Sequence, residues 1–220
     1  PYRGTVLAVH LARAFSVLCG LLTVLLTYLL GRELFPRRPW LALLGAALAA
    51  FNPMFLFISG SVNNDNLVVT LATLSWWLLL RAMGSPEAGG GGTTLVRSKG
   101  EGEPEGAIAG LAGQMGLGRP LAAPLPYSKP DSVALGRWAL LGAVIGLAAL
   151  AKVSALGLLP LAGLGLAWVS WRRRDWRLLL AGGACLAGAA ALVAGWWYWR
   201  NWQLYGDPLG WNVFVAIIHP

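Results

Sequence analysis

An all-α protein, a bundle of about six transmembrane helices, is what this chain predicts, on three observations. Hydrophobic residues make up 57% of the sequence and charged residues 12%, with a mean hydropathy of +0.62, a balance that a soluble core cannot absorb. Apolar stretches approaching the roughly 20 residues that cross a bilayer recur along the chain. Thirteen of the seventeen Lys and Arg residues fall in three connections, residues 32–39, 81–137 and 171–177, each between two apolar stretches. By the positive-inside rule these connections face the cytoplasm, and the remaining ones face outward.

The expected spans are residues 5–30, 40–58, 67–83, 133–151, 153–171 and 178–199. The third and fourth have the shortest uninterrupted apolar cores, but if neither crossed, the basic 81–137 connection would move outside and the charge bias would vanish. Asn63 and Ser132 are the expected N-caps of those two helices. Residues 133–171 cannot be one helix, because at about 1.5 Å per residue it would be nearly twice the hydrocarbon thickness of about 30 Å. Lys152 therefore marks the tip of a hairpin. The Gly142-xxx-Gly146 spacing suits close helix packing, and Pro160 is expected to kink the fifth span.

The chain thus divides into four regions: residues 1–83 with spans one to three, a Gly/Pro-rich disordered cytoplasmic insertion at 84–132, residues 133–199 with spans four to six, and the start of an outer-face segment at 200–220. The chain starts at Pro1 and stops as that outer segment develops, which points to part of a longer protein. The net charge of +8 is accounted for by the cytoplasmic connections and anionic lipid headgroups, so membrane lipids rather than nucleic acid are the expected partners. Cys19 and Cys185 lie in apolar runs and His10 and His219 lie far apart, so no disulfide framework or metal cluster is expected.

The polar residues that remain belong to the outer connections. Asp65, among Asn63, Asn64 and Asn66 at a helix start, is either a base or ligand, or an anion favoured by the helix dipole at about 0.3–1 kcal/mol. Lys152 is either a snorkelling lysine or an ammonium that holds a lipid-linked phosphate at the membrane surface. His10 and Arg13, three residues apart on one helix face, are expected to line a polar cavity, or Arg13 pairs with Asp65 or Asp207 to hold helix register. The aromatic run 196–202 reads as an interfacial belt, which leaves Arg200 as a second phosphate ligand beside Asn201, Tyr205 and the turn containing Asp207.

The phrase Arg13-Ala-Phe-Ser16 opening a span that ends Tyr28-Leu-Leu-Gly-Arg32, then Phe51-Asn-Pro53, Asn64-Asp65, Gly146-Leu-Ala-Ala-Leu-Ala-Lys152 and Trp197-Tyr-Trp-Arg200-Asn-Trp-Gln-Leu-Tyr205-Gly-Asp-Pro208, resembles polytopic bacterial glycosyltransferases of the GT-C superfamily. Its relatives there include protein O-mannosyltransferases and the aminoarabinose transferases that modify lipid A. The resemblance implies transfer of a sugar from a polyprenyl-phosphate donor to an acceptor hydroxyl on the extracytoplasmic face of the cytoplasmic membrane. It implies phosphate-binding roles for Lys152, Arg200 and Arg13, and a catalytic or supporting role for Asp65. The family's main catalytic Asp lies in an outer loop before the segment that begins at Thr5, and a divalent cation is the one cofactor the resemblance allows. Two other readings remain: a lipid-phosphate-binding or transport protein, and a non-catalytic accessory subunit of a membrane complex.

Overall fold

The computed structural model describes residues 3–84, 132–212 and 215. Among these residues the fold is all-helical: α1 (Arg3–Leu34), α2 (Pro39–Ala50), α3 (Pro53–Ser59), α4 (Asp65–Met83), α5 (Ser132–Ala151), a 3-10 turn (Val153–Gly157), α6 (Leu158–Arg173), α7 (Trp176–Ala190), a π turn (Ala191–Gly195) and α8 (Trp196–Tyr205). Among the described residues five helices are long and apolar enough to cross a membrane, or six spans if α2 and α3 are taken as one. The Gly/Pro-rich insertion expected between the third and fourth spans lies outside the described residues, apart from Gly84 and Ser132 at its edges.

The local sequence sets each boundary. The second expected span is broken: α2 and α3 meet at a 63° bend, because Pro53 cannot donate a backbone hydrogen bond and Asn52 starts a new helix there. The Asn52 side chain accepts from the backbone N–H groups of Met54 and Phe55. Asp175 caps α7 in the same way, accepting from Arg177 at 3.0 Å and Leu178 at 3.2 Å. Pro160 is the third residue of α6, where backbone N–H groups have no acceptor within the helix, so the expected interior kink is replaced by the 3-10 turn just before it. The last span is continuous in direction but carries the π turn, with α7 on one side and α8 on the other.

The core forms where α4, α5, α6 and α7 converge. Leu141 and Ile145 of α5 pack among Leu79 of α4, Ala162 and Leu166 of α6, and Leu178 and Leu186 of α7. Backbones approach closely only where side chains are absent: a Cβ on Gly142 would lie 2.1 Å from the Leu186 carbonyl oxygen, and one on Gly146 would lie 3.0 Å from that of Ala190. These contacts explain the Gly-xxx-Gly spacing as the α5–α7 seam. The outward faces stay apolar, with Leu192 85% and Phe57 76% exposed, as lipid contact requires and water does not permit.

α1 packs on α2 and α4. The Thr23 and Thr70 hydroxyls meet at 2.9 Å, and nearer the other end Arg81 pairs with Glu33 at 3.3 Å, so α1 and α4 run parallel. Around that second end lie Arg32, Arg37, Arg38, Arg81 and the tight Arg172–Arg174 turn. The opposite end holds the α4 N-terminus and the α5 C-terminus.

Candidate functional site

An α-helix leaves its last carbonyls without partners, and those of α5 are met from three directions. The Ala148 carbonyl accepts from the Lys152 N–H at 2.9 Å. The Ala149 carbonyl accepts from the Tyr198 hydroxyl of α8 at 2.9 Å, and the Ala151 carbonyl accepts from the Asn64 side-chain amide at 3.0 Å. The chain then turns at Lys152, whose backbone is extended, and enters the 3-10 turn through an Ala155 N–H bond to the Lys152 carbonyl. Three separate parts of the chain thus fix where Lys152 stands.

Its ammonium reaches Asp65 Oδ1 at 2.5 Å, and both side chains are about half exposed. Each charge sits at the favourable end of a dipole: Asp65 in the first turn of α4 and Lys152 just past the end of α5. Asp65 Oδ2 has no hydrogen-bond partner among the described residues. The α4 start is secured by its asparagines. Asn63 Oδ1 accepts from the Asn66 N–H at 3.1 Å, and the buried Asn66 amide donates to the carbonyls of Ile58 and Ser61 at 3.0 and 3.1 Å. Asn63 therefore satisfies a free N–H at the helix start, as its position in the sequence suggests.

The other expected residues are distributed unevenly around this pair. On α8, Asn201 and Tyr205 lie three and seven residues after Tyr198 and share the face that Tyr198 turns toward α5. Arg200, two residues after Tyr198, points away from that face, and its guanidinium lies 5.7 Å from the Trp197 ring centroid. Asp207 is buried and structural: it accepts from the N–H groups of Leu209 at 2.9 Å and Asn212 at 2.7 Å. The Asn212 N–H, aided by those of Leu209, Trp211 and Gly210 and opposed by desolvation, holds its carboxyl below the ordinary carboxylate range.

His10 and Arg13 stand apart from this cluster. Both are exposed on α1, where His10 Nδ1 lies 2.8 Å from the Val6 carbonyl and Arg13 has no ion-pair partner among the described residues. The parallel register of α1 and α4 places Arg13 about one to two turns beyond the level of Asp65. The expected pairing of Arg13 with Asp65 or Asp207 is replaced by Asp65–Lys152 and by the Asp207 turn.

Two contributors are not evident from the sequence. Tyr198 sits in an aromatic run where an interfacial belt explains every ring, and only its hydroxyl contact sets it apart. Asn66 is visible as part of the asparagine cluster, but its structural role is not, and its spacing of four from Thr70 is the signal that marks the buried face of α4. Among the described residues no three His, Cys, Asp or Glu side chains converge, and Asp65 has no second carboxylate beside it. A divalent cation does not fit this donor set.

Residues 9–91 match the sequence profile of the dolichyl-phosphate-mannose-protein mannosyltransferase family. That stretch contains His10, Arg13, Asn64 and Asp65, while Lys152 and the α8 residues lie beyond it. No curated protein and no solved structure matches the chain. The match covers less than half of the chain, the stretch running from α1 to α4, and the long apolar helices support a multi-pass membrane protein.

Proposed function

We propose that the protein transfers a sugar from a polyprenyl-phosphate donor to an acceptor hydroxyl at the end of the bundle that carries Asp65 and Lys152, on the extracytoplasmic side of the cytoplasmic membrane. The observation that carries this reading is the Asp65–Lys152 contact, a carboxylate and an ammonium brought together from residues far apart in sequence at the surface of a membrane bundle. The profile match across Asp65 and the segregation of arginines to the opposite end support it.

The chemistry needs two charges in these positions. As the acceptor oxygen bonds to the anomeric carbon, the bond from that carbon to the phosphate oxygen breaks and its electron pair leaves with the phosphate. In this reading the Lys152 ammonium neutralises that charge, and Arg13 adds a second cation on the same side. Asp65 Oδ2 takes the acceptor proton while Oδ1 stays on Lys152, so one carboxylate both orients the cation and serves as base. Asn64 holds the turn, and Asn201 and Tyr205 offer an amide and a phenol to the sugar. Backside attack inverts the anomeric centre.

The test is sugar transfer from radiolabelled polyprenyl-phosphate sugars by the protein in liposomes, beside Asp65→Asn and Lys152→Ala. Transfer by the parent, lost in Asp65→Asn with donor binding retained and weakened at the binding step in Lys152→Ala, is the expected result. Donor binding without transfer in the parent would favour a lipid-phosphate-binding protein, a reading that the existing neutralisation of Asp65 by Lys152 also fits. Neither binding nor transfer would remove both.

A further inference from the structure

The bend between α2 and α3 opens a lateral window in the bundle. α1 and α2 touch at Gly31, where a Cβ would lie 2.8 Å from Ala42 Cα. α1 meets the end of α3 at Gly20, where a Cβ would lie 2.8 Å from Ser59 Oγ. Between these two contacts α2 leaves α1 and the chain turns through 63°, so the helices cannot close on one another. The space left has a volume of about 650 Å³ and an almost wholly apolar lining, including Leu21, Leu25, Leu43, Ala46 and Phe55.

Its two ends differ chemically. Tyr28 lines the end nearer the arginines, and Arg32, one turn further on, donates from Nη1 to the Tyr28 hydroxyl at 3.0 Å with its guanidinium 5.8 Å from the ring centroid. Arg37 and Arg38 stand next, in the exposed turn to α2. At the other end the Ser59 hydroxyl is buried without a hydrogen-bond partner. A groove that is apolar along its length and cationic at one mouth complements a hydrocarbon chain ending in an anion. Its cationic mouth is at the end of the bundle away from Lys152, so the complement comes from the leaflet opposite the proposed donor.

We infer that this window binds one anionic phospholipid of the arginine-side leaflet, with an acyl chain lying between α1 and the α2–α3 bend and its phosphate on Arg32. Filling the window with a chain removes a void that the bend otherwise leaves between helices, and the lipid then supports the α2–α3 elbow from inside. The inference is independent of the transfer reaction.

Native mass spectrometry of the detergent-purified protein, titrated with phosphatidylglycerol or phosphatidylcholine, tests it together with the thermal unfolding midpoint in each lipid. One tightly retained phosphatidylglycerol, with a larger rise in midpoint than phosphatidylcholine produces, is expected. Arg32→Gln is expected to lower that retention about fivefold, the contribution of one basic residue to anionic lipid attraction. Ala46→Phe, which fills the window, is expected to abolish retention of either lipid while circular dichroism shows the helices intact. Equal retention of the two lipids, or retention unchanged in both variants, would overturn the inference. So would displacement of the retained lipid by polyprenyl phosphate in a manner lost in Lys152→Ala, which would give the window to the donor, or self-association abolished by Ala46→Phe, which would give it to a second copy of the chain.

Discussion

The Tyr198 hydroxyl donates to the Ala149 carbonyl at 2.9 Å, and through this bond the last span holds the turn that presents Lys152. Ala149 is buried, so a carbonyl left without a donor there is not readily served by water. Tyr198→Phe is expected to destabilise the protein by about 1–3 kcal/mol, the cost of an unsatisfied buried acceptor. It should also weaken donor binding, because the turn loses one of its anchors. Unfolding in mixed micelles and donor titration check the two effects separately, and an unchanged unfolding curve would mean that the bond contributes nothing.

Asp65 and Lys152 form a half-exposed pair, so their mutual attraction should be small. A double-mutant cycle with Asp65→Asn and Lys152→Ala, read by unfolding, is expected to return a coupling of about 1 kcal/mol or less. Exchanging the charges, Asp65→Lys with Lys152→Asp, should recover that coupling only in part, since each charge would then oppose its helix dipole. Donor use should stay lost in the exchanged protein. Recovery of transfer there would show that only the attraction matters, and not which helix carries the cation.

Gly142→Leu is expected to be the most damaging single change on α5. Its Cβ would stand 2.1 Å from the Leu186 carbonyl oxygen, a backbone atom that cannot rotate aside. Overpacking of this kind costs about 1–3 kcal/mol or more, and here it should separate α5 from α7. Gly136→Leu, where nothing lies within 4 Å of the added Cβ, serves as the control. Comparing detergent-solubilised yield and unfolding of the two variants checks the expectation.

Asp207 confers a pH dependence with a definite sign. Its folded carboxyl lies below the ordinary value of 3.8, held there first by the Asn212 N–H. The stabilisation is therefore complete above that ordinary value and is lost as pH falls through the depressed one. Hydrogen-exchange protection of residues 207–212 should be constant at neutral pH and fall on strong acidification. Asp207→Asn should abolish the acid-dependent part of that fall.

Hydropathy and arginine placement make the spans legible because both reflect the bilayer, which acts on every residue along a helix. The elbow at Asn52-Pro53 is hidden within an apolar run of the right length, although the Pro and the capping Asn are both in view. Lys152 and Asp65 are each visible as charges at helix ends, but nothing local says that two ends meet. That depends on how α4 and α5 pack, which is set by contacts such as Leu79 with Leu141 that carry no polar signal. Arg13 departs from expectation because α1, at 32 residues, is longer than a bilayer requires, and its first turns extend past its neighbours.

The π turn at Ala191–Gly195 keeps the last span in phase. Relative to an α-helix, such a turn takes up one extra residue, which in a regular helix would rotate everything beyond it by about 100°. The azimuth of Tyr198 thus depends on the turn staying wide and not on any particular side chain in it, all of which are small or aliphatic. Deleting one residue between Ala191 and Gly195 would let the turn close to a regular helix and leave the aromatic end on the same face, whereas winding the present residues as a regular helix would swing that end by about 100°. That stretch can lose a residue more safely than it can lose its width.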